Sequence, residues 1–140
     1  GVFLGLKHVI PVMVESGGGA ICNTASINGI KGSRGQIAYV ASKHAVVSMT
    51  KVTSKEFGSK GIRVNCIAPG AIKGRMMTDF VQIIEANRPA DQAPPPPRPS
   101  PLARWADPRE IGGLLAFLCS DQASYITGAC YSVDGGRSAM

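Results

Sequence analysis

Within the run YVASKH at residues 39–44, Tyr39 and Lys43 stand four positions apart. On a helix that spacing puts two side chains on one face, one turn apart, so a phenol would lie beside a fixed positive charge. A free phenol titrates near ~10 and is a poor base at neutral pH; each unit of lowering requires about 1.4 kcal/mol. An ammonium about 4 Å away, at an effective dielectric near ~20, is worth on the order of 4 kcal/mol. A perturbation of that size would let the phenol exchange a proton near neutrality, as a general acid or base must. Taken alone, such a pair is more often two snorkelling side chains on a helix surface. The surrounding elements have to decide.

Those elements alternate. Residues 2–14 carry Val2, Phe3, Leu6, Val9, Ile10, Met13 and Val14 at helical spacing, with Pro11 expected to interrupt or kink the far half. ESGGG is a stop, and AICNTAS reads as a short buried strand. QIAYVASKHAVVSMTKVTSKEFGSKG is a long helix closed by Gly58 and Gly61, and it holds the Tyr/Lys pair. IRVNCIA is a second strand ended by Pro69 and Gly70, followed by a weakly amphipathic RMMTDFVQIIEAN. PADQAPPPPRPSP is expected to be an extended, exposed loop. DPREIGGLLAFLCSD starts with the signals of a capped helix: Asp107 at the cap, Pro108 in the first turn and Glu110 at the third position. ACYSVDGG is a last strand.

This order predicts an α/β fold, a parallel sheet covered by helices on both faces. In such sheets chemistry gathers beyond the carboxyl ends of the strands. Here those ends are Ala25-Ser26, Ala68-Pro69-Gly70 and Asp134-Gly135. No GxGxxG turn occurs, and Gly17 to Gly19 precede a strand rather than follow one, so they are punctuation.

Bulk composition excludes several function classes. A chain of 140 residues suits one domain, and 44% apolar with 17% charged residues is globular. The 15 basic residues behind a net charge of +6 never cluster beyond pairs, so a nucleic-acid partner is not expected. Cys22, Cys66, Cys119 and Cys130 form no CxxC pair. They fit reduced thiols packed as small apolar residues in a cytoplasmic protein, with no metal. No apolar run reaches the ~18 residues of a membrane span. The opening GVFLGLKHVIPVMVE lacks an initiator Met and a small-residue cleavage site, and is expected to be the middle of a longer chain rather than a signal peptide.

NTAS, with YVASK beginning thirteen residues after Ser26, resembles the catalytic core of the short-chain dehydrogenases/reductases. So do RVNCIAPGAI and the closing ADPREIGGLLAFLCSDQASYITGACYSVDGG, in the family's order and spacing. The resemblance covers nearly the whole chain and implies a Rossmann-like, doubly wound parallel sheet without its first strands. Residues 1–140 would be the carboxyl-terminal catalytic portion of one such domain, and 75–101 its substrate-loop region with a Pro-rich insert. The DGGRSAM tail and PGAI turn look like the branch that acts on cyclic alcohols and ketones.

The implied function is hydride transfer between NAD or NADP, with NAD the first choice, and a small secondary alcohol or ketone. The resemblance makes Tyr39 the general acid/base. It gives Lys43 the task of steadying the phenolate and bonding the nicotinamide ribose, and Ser26 that of donating to the substrate oxygen. Pro69, Gly70 and Ile72 match the turn whose backbone meets the nicotinamide carboxamide. His8 and His44 receive no role; Trp105, Tyr125 and Tyr131 are expected to pack. Where the family often carries threonine two places after that isoleucine, this chain has Gly74 preceded by Lys73, and one cofactor hydrogen bond is lost.

Family members commonly form homodimers or homotetramers, and no membrane partner is implied. The resemblance leaves the residues that choose NAD or NADP outside this segment. The chain alone is expected to expose sheet edges, to be poorly soluble and to bind no cofactor. One competing reading is an inactive remnant that acts through oligomerisation; another is a binding module offering PPPPRPSP to an SH3- or WW-like partner. The spacing around Arg98 completes neither R-x-x-P-x-x-P nor P-x-x-P-x-R.

Overall fold

The β-branched run at 62–69 forms the central strand of the sheet. In the computed structural model, which describes residues 1–88 and 100–139, β2 (Ile62–Pro69) lies between β1 (Gly19–Thr24) and β3 (Cys130–Val133). Both pairs are parallel, with Cys22 opposite Asn65 and Cys66 opposite Cys130. Parallel neighbours need long crossovers, and helices α1 (Val2–Glu15), α2 (Ile37–Phe57), α3 (Arg75–Ala86) and α4 (Pro108–Cys119) surround and join them.

Side-chain alternation along β2 sends successive residues to opposite faces. On one face Ile62 and Val64 meet Leu6 and Ile10 of α1, and Cys66 meets Ala25 with Val46 and Val47 of α2. On the other, Ile67 packs on Ile111 and Leu118 of α4. The sheet is thus covered on both sides, the expected α/β layering. β1 and β3 each keep one edge without a strand partner among the described residues.

One expectation is refined. Pro11 does not break α1, which runs unbroken to Glu15. Pro11 and Lys7, whose carbonyl loses its helical donor, both face outward, so water can replace the missing bond while Leu6 and Ile10 hold the helix to the core. The polar residues of β2 do not face solvent. Arg63 donates to the carbonyls of Leu118 (2.7 Å) and Ser120 (2.9 Å) at the end of α4, where a helix favours a cation. Asn65 donates to the Ile126 carbonyl and accepts from the Ala129 amide, fixing the approach to β3. The cap of α4 forms as expected: Asp107 accepts from the Arg109 amide, and Glu110 reaches back to the Asp107 amide at 2.8 Å. Most of the Pro-rich run, with its candidate partner motif around Arg98, lies outside the described residues.

Candidate functional site

Ser26 is the second residue past β1. The ladder extends through the Ala25 amide, which donates to the Ile67 carbonyl at 2.8 Å, and the chain then turns through a short 3₁₀ segment, Ile27–Gly29. Ser26 caps that turn in extended conformation; its Oγ accepts from the Asn28 amide at 3.1 Å. A hydroxyl has one proton to give as well as lone pairs to receive. With an acceptor site taken by the backbone, the Ser26 proton is left without an acceptor among the described residues. The residue is buried, and its geometry is set by neighbours rather than by water.

The turn sits directly on α2. A Cβ placed on Gly29 would lie 2.6 Å from the Lys43 carbonyl oxygen, so this contact exists only because residue 29 has no side chain. A second tie runs alongside: the Asn28 side-chain amide donates to Gln36 Oε1 at 2.8 Å, and Gln36 is the N-cap of α2. Tyr39 and Lys43 follow in the first two turns of that helix. Ser26 and Lys43 therefore lie at the carboxyl end of β1, with Tyr39 one helical turn before Lys43.

Lys43 reaches in two directions. Its Nζ donates to the Thr24 carbonyl, the last residue of β1, at 3.3 Å. The same ammonium lies over the Tyr39 ring, 5.7 Å from the ring centroid. The helical spacing places charge and phenol together as expected, but the charge stands over the ring face in a cation–π arrangement. Tyr39 is 41% exposed, and its hydroxyl has no protein partner among the described residues. His44 bonds the Val40 carbonyl one turn back and is exposed, away from this cluster.

At the end of β2 the chain makes a second ledge. Pro69 is buried, and the Gly70 amide donates to the Val133 carbonyl at 3.0 Å. A Cβ on Gly70 would come within 2.9 Å of the Asp134 backbone, so β2 and β3 close together just where the strands end. Ile72 then forms a parallel bridge to Ala106. In it Ala71 accepts from the Ala106 amide (3.0 Å) and the Lys73 amide donates to the Ala106 carbonyl (2.9 Å). The Ile72 N–H and C=O point the other way and have no partner among the described residues, while its side chain packs near Ile67 and Ile111. A free donor and a free acceptor on one residue match what a primary carboxamide presents, so this ledge fits a nicotinamide.

Sequence reasoning missed several supports. Asn28 and Gln36 hold the serine turn to the tyrosine helix, and their only local signal is the position of Asn28 two residues after Ser26. Ala106 supplies the partner of the Ile72 ledge from a distant segment. Asp134 accepts from the amides of Gly136 (3.0 Å) and Ser138 and shapes the closing turn. Burial works to raise its carboxyl, but these bonds outweigh it and leave it below the ordinary carboxylate range. Beside this turn lies a cavity of about 100 Å³ lined by Ala71, Trp105, Ala106, Val133 and Arg137 among others. No group of residues suited to hold a metal occurs among the described residues, and none of their helices is long and apolar enough to cross a membrane.

A family model described as enoyl-(acyl carrier protein) reductase matches residues 1–138. Levodione reductase of Leifsonia aquatica is 42% identical over 139 residues, covering 99% of this chain and 52% of the relative. Cyclohexanol dehydrogenase of Acinetobacter sp. (strain SE19) is 39% identical, covering 96% of this chain and 49% of the relative. Among solved structures, levodione reductase superposes with a TM-score of 0.90 at 41% identity, over 99% of this chain and 54% of that one. A 4-hydroxyisoleucine dehydrogenase complexed with NADH superposes at 0.79 and 35% identity, over 99% and 55%. ElxO with NADP bound superposes at 0.82 and 29% identity, over 99% and 54%. The chain thus spans about half the length of the relatives it matches.

Proposed function

We propose that this chain, which belongs to the short-chain dehydrogenase/reductase family, is the catalytic portion of an NAD(P)-dependent oxidoreductase acting on secondary alcohols or ketones. The observation that carries the reading is Lys43 reaching both the Thr24 carbonyl at the end of β1 and the Tyr39 ring, with the turn after Ser26 seated on its backbone. When bound, the nicotinamide supplies or accepts the hydride. The chain must then handle the proton and the oxygen.

Tyr39 is the general acid/base. Its hydroxyl, exposed and without a partner among the described residues, gives a proton to a ketone oxygen or takes one from an alcohol. Lys43 steadies the phenolate through its charge, and its bond to Thr24 holds that charge in place. Ser26 donates its remaining proton to the same substrate oxygen, stabilising the alkoxide as it develops. Pro69 and Gly70 set the ledge, and Ile72 offers its N–H and C=O to the carboxamide.

α3 follows this ledge and exposes Met76, Phe80 and Ile83, which border a groove of about 570 Å³ with Arg75 and Asp79. Residues 75–101, of which this helix is the described beginning, are assigned to the substrate loop, and an apolar helix face suits a small cyclic substrate. Relatives named for levodione and cyclohexanol favour that class. NAD is the first choice of cofactor, and NADP is the other outcome of the test. The exposed apolar residues Phe3, Leu4, Val9 and Val12 of α1 suit association into a dimer or tetramer.

Tyr39→Phe, made in a protein that carries these residues together with its pyrophosphate-binding strands, decides the matter. Turnover of cyclic secondary alcohols, read as NAD(P)H absorbance, is expected to vanish while circular dichroism and thermal melting stay unchanged. Retained turnover overturns the assignment.

A further inference from the structure

Cys66 and Cys130 are Cα partners across the β2–β3 pair, and the Cys66 amide donates to the Ala129 carbonyl at 2.9 Å, which locks that register. Residues paired in this way project to the same face of a sheet. Both lie under α2, packed with Ala25, Val46 and Val47. Neighbouring strands run about 4.8 Å apart, inside the roughly 4.4 to 6.8 Å of Cα separation that a disulfide accepts. The other two cysteines lack this arrangement: Cys22 faces Asn65 across the sheet, and Cys119 ends α4.

The two thiols are thus neighbours on one face of the sheet, close enough for each to perturb the other. Cys66 is fully buried, whereas Cys130 is only half-buried on the edge strand. We propose that Cys130 and Cys66 form a peroxide-reactive dithiol, with Cys130 the attacking sulfur and Cys66 the resolving one. The neighbouring Cys66 thiol lowers the Cys130 thiol to about 7 and the Lys51 ammonium adds to this, although burial opposes both. The Cys130 thiol and burial push Cys66 the other way, which favours the thiolate on the accessible partner. Thiolate character and access are what decide which cysteine oxidises first.

The chemistry balances with a hydroperoxide as oxidant. The Cys130 thiolate attacks the terminal peroxide oxygen; the O–O bond breaks, and water or an alcohol leaves with a proton from solvent. The resulting sulfenic acid meets Cys66, whose sulfur attacks that of Cys130. The S–O bond breaks, the hydroxyl leaves as water with the Cys66 proton, and the disulfide forms. Two electrons from the dithiol have then reduced one peroxide. An external thiol reverses the step by exchange.

The test is made on this chain itself with hydrogen peroxide as the probe, and requires no turnover. After treatment, remaining thiols are alkylated and the digest is read by mass spectrometry. The expected result is one linked peptide pair containing Cys66 and Cys130, lost on addition of dithiothreitol, with Cys22 and Cys119 still alkylated. In Cys66→Ser, where a donor remains but resolution is impossible, Cys130 is expected to be trapped by dimedone as its sulfenic acid. Full alkylation of both Cys66 and Cys130 in peroxide-treated wild type overturns the proposal. So does a cross-link that joins either one to Cys22 or Cys119, or the absence of a dimedone adduct on Cys130 in the variant.

Discussion

Replacing Gly29 with alanine tests whether the serine turn is truly seated on the tyrosine helix. The new methyl carbon would stand 2.6 Å from the Lys43 carbonyl oxygen and 2.9 Å from its carbon, both well inside the 3.4 Å at which ordinary contact begins. Backbone lies on both sides, so no flexible side chain can swing away. Either the turn lifts or α2 shifts, and overpacking of this kind costs about 1 to 3 kcal/mol. For a chain of this size that corresponds to a fall in melting temperature of roughly 3 to 10 °C.

Gly112→Ala is the matched control. Gly112 lies within α4 and a Cβ there meets nothing within 4 Å, so the same chemical change removes backbone entropy without a clash. It is expected to stabilise by about 0.5 to 1 kcal/mol. Urea unfolding of the two variants beside the parent chain, with slopes held equal, reads both signs in one experiment. If Gly29→Ala proves neutral or stabilising, the close seating of residues 26–29 on α2 is wrong. The geometric case for Ser26 beside Tyr39 then goes with it.

Other consequences are open to measurement. Arg63→Met keeps the aliphatic stem but removes two charge-assisted bonds to the end of α4; a loss of about 2 kcal/mol by urea unfolding is expected, and an unchanged midpoint refutes the capping role. Arg104 bonds both oxygens of Glu110 at 2.7 Å and, with the Asp107 amide, lowers the Glu110 carboxyl from 4.5 to about 2. Because the folded value lies below the unfolded one, the folded state binds fewer protons there. The contribution is complete above about 4.5 and disappears as pH falls through about 2. Glu110→Gln should therefore flatten the pH dependence of stability in that window, and an identical acid slope in parent and variant contradicts the assignment. Leu118→Ala, emptying a site between α4 and Ile67, should cost about 2 to 5 kcal/mol.

Much of the architecture was legible because local chemistry and global fold agree. Asp107, Pro108 and Glu110 encode their capping box within four residues, and the three glycines after Ser16 encode a stop. Alternation of strand and helix signals sufficed for a parallel sheet with two covered faces. The spacing of Tyr39 and Lys43 needed only helical periodicity to put them together. Pro11 misled, because a proline's cost depends on whether water or protein faces the bereaved carbonyl, and only packing decides that.

What the chain's letters determined, then, were the properties that act over a turn or a strand: the shared face of phenol and ammonium, the caps, the breaks and the periodicities. Tertiary structure alone decided that Lys43 lies over the ring while gripping Thr24, that Ala106 frees the Ile72 backbone, and that Cys66 meets Cys130. The contacts with Thr24, Ala106 and Cys130 join residues 19 or more positions apart, through strand register or helix seating. Such contacts are set by how whole surfaces bury against one another, and no local propensity carries that information.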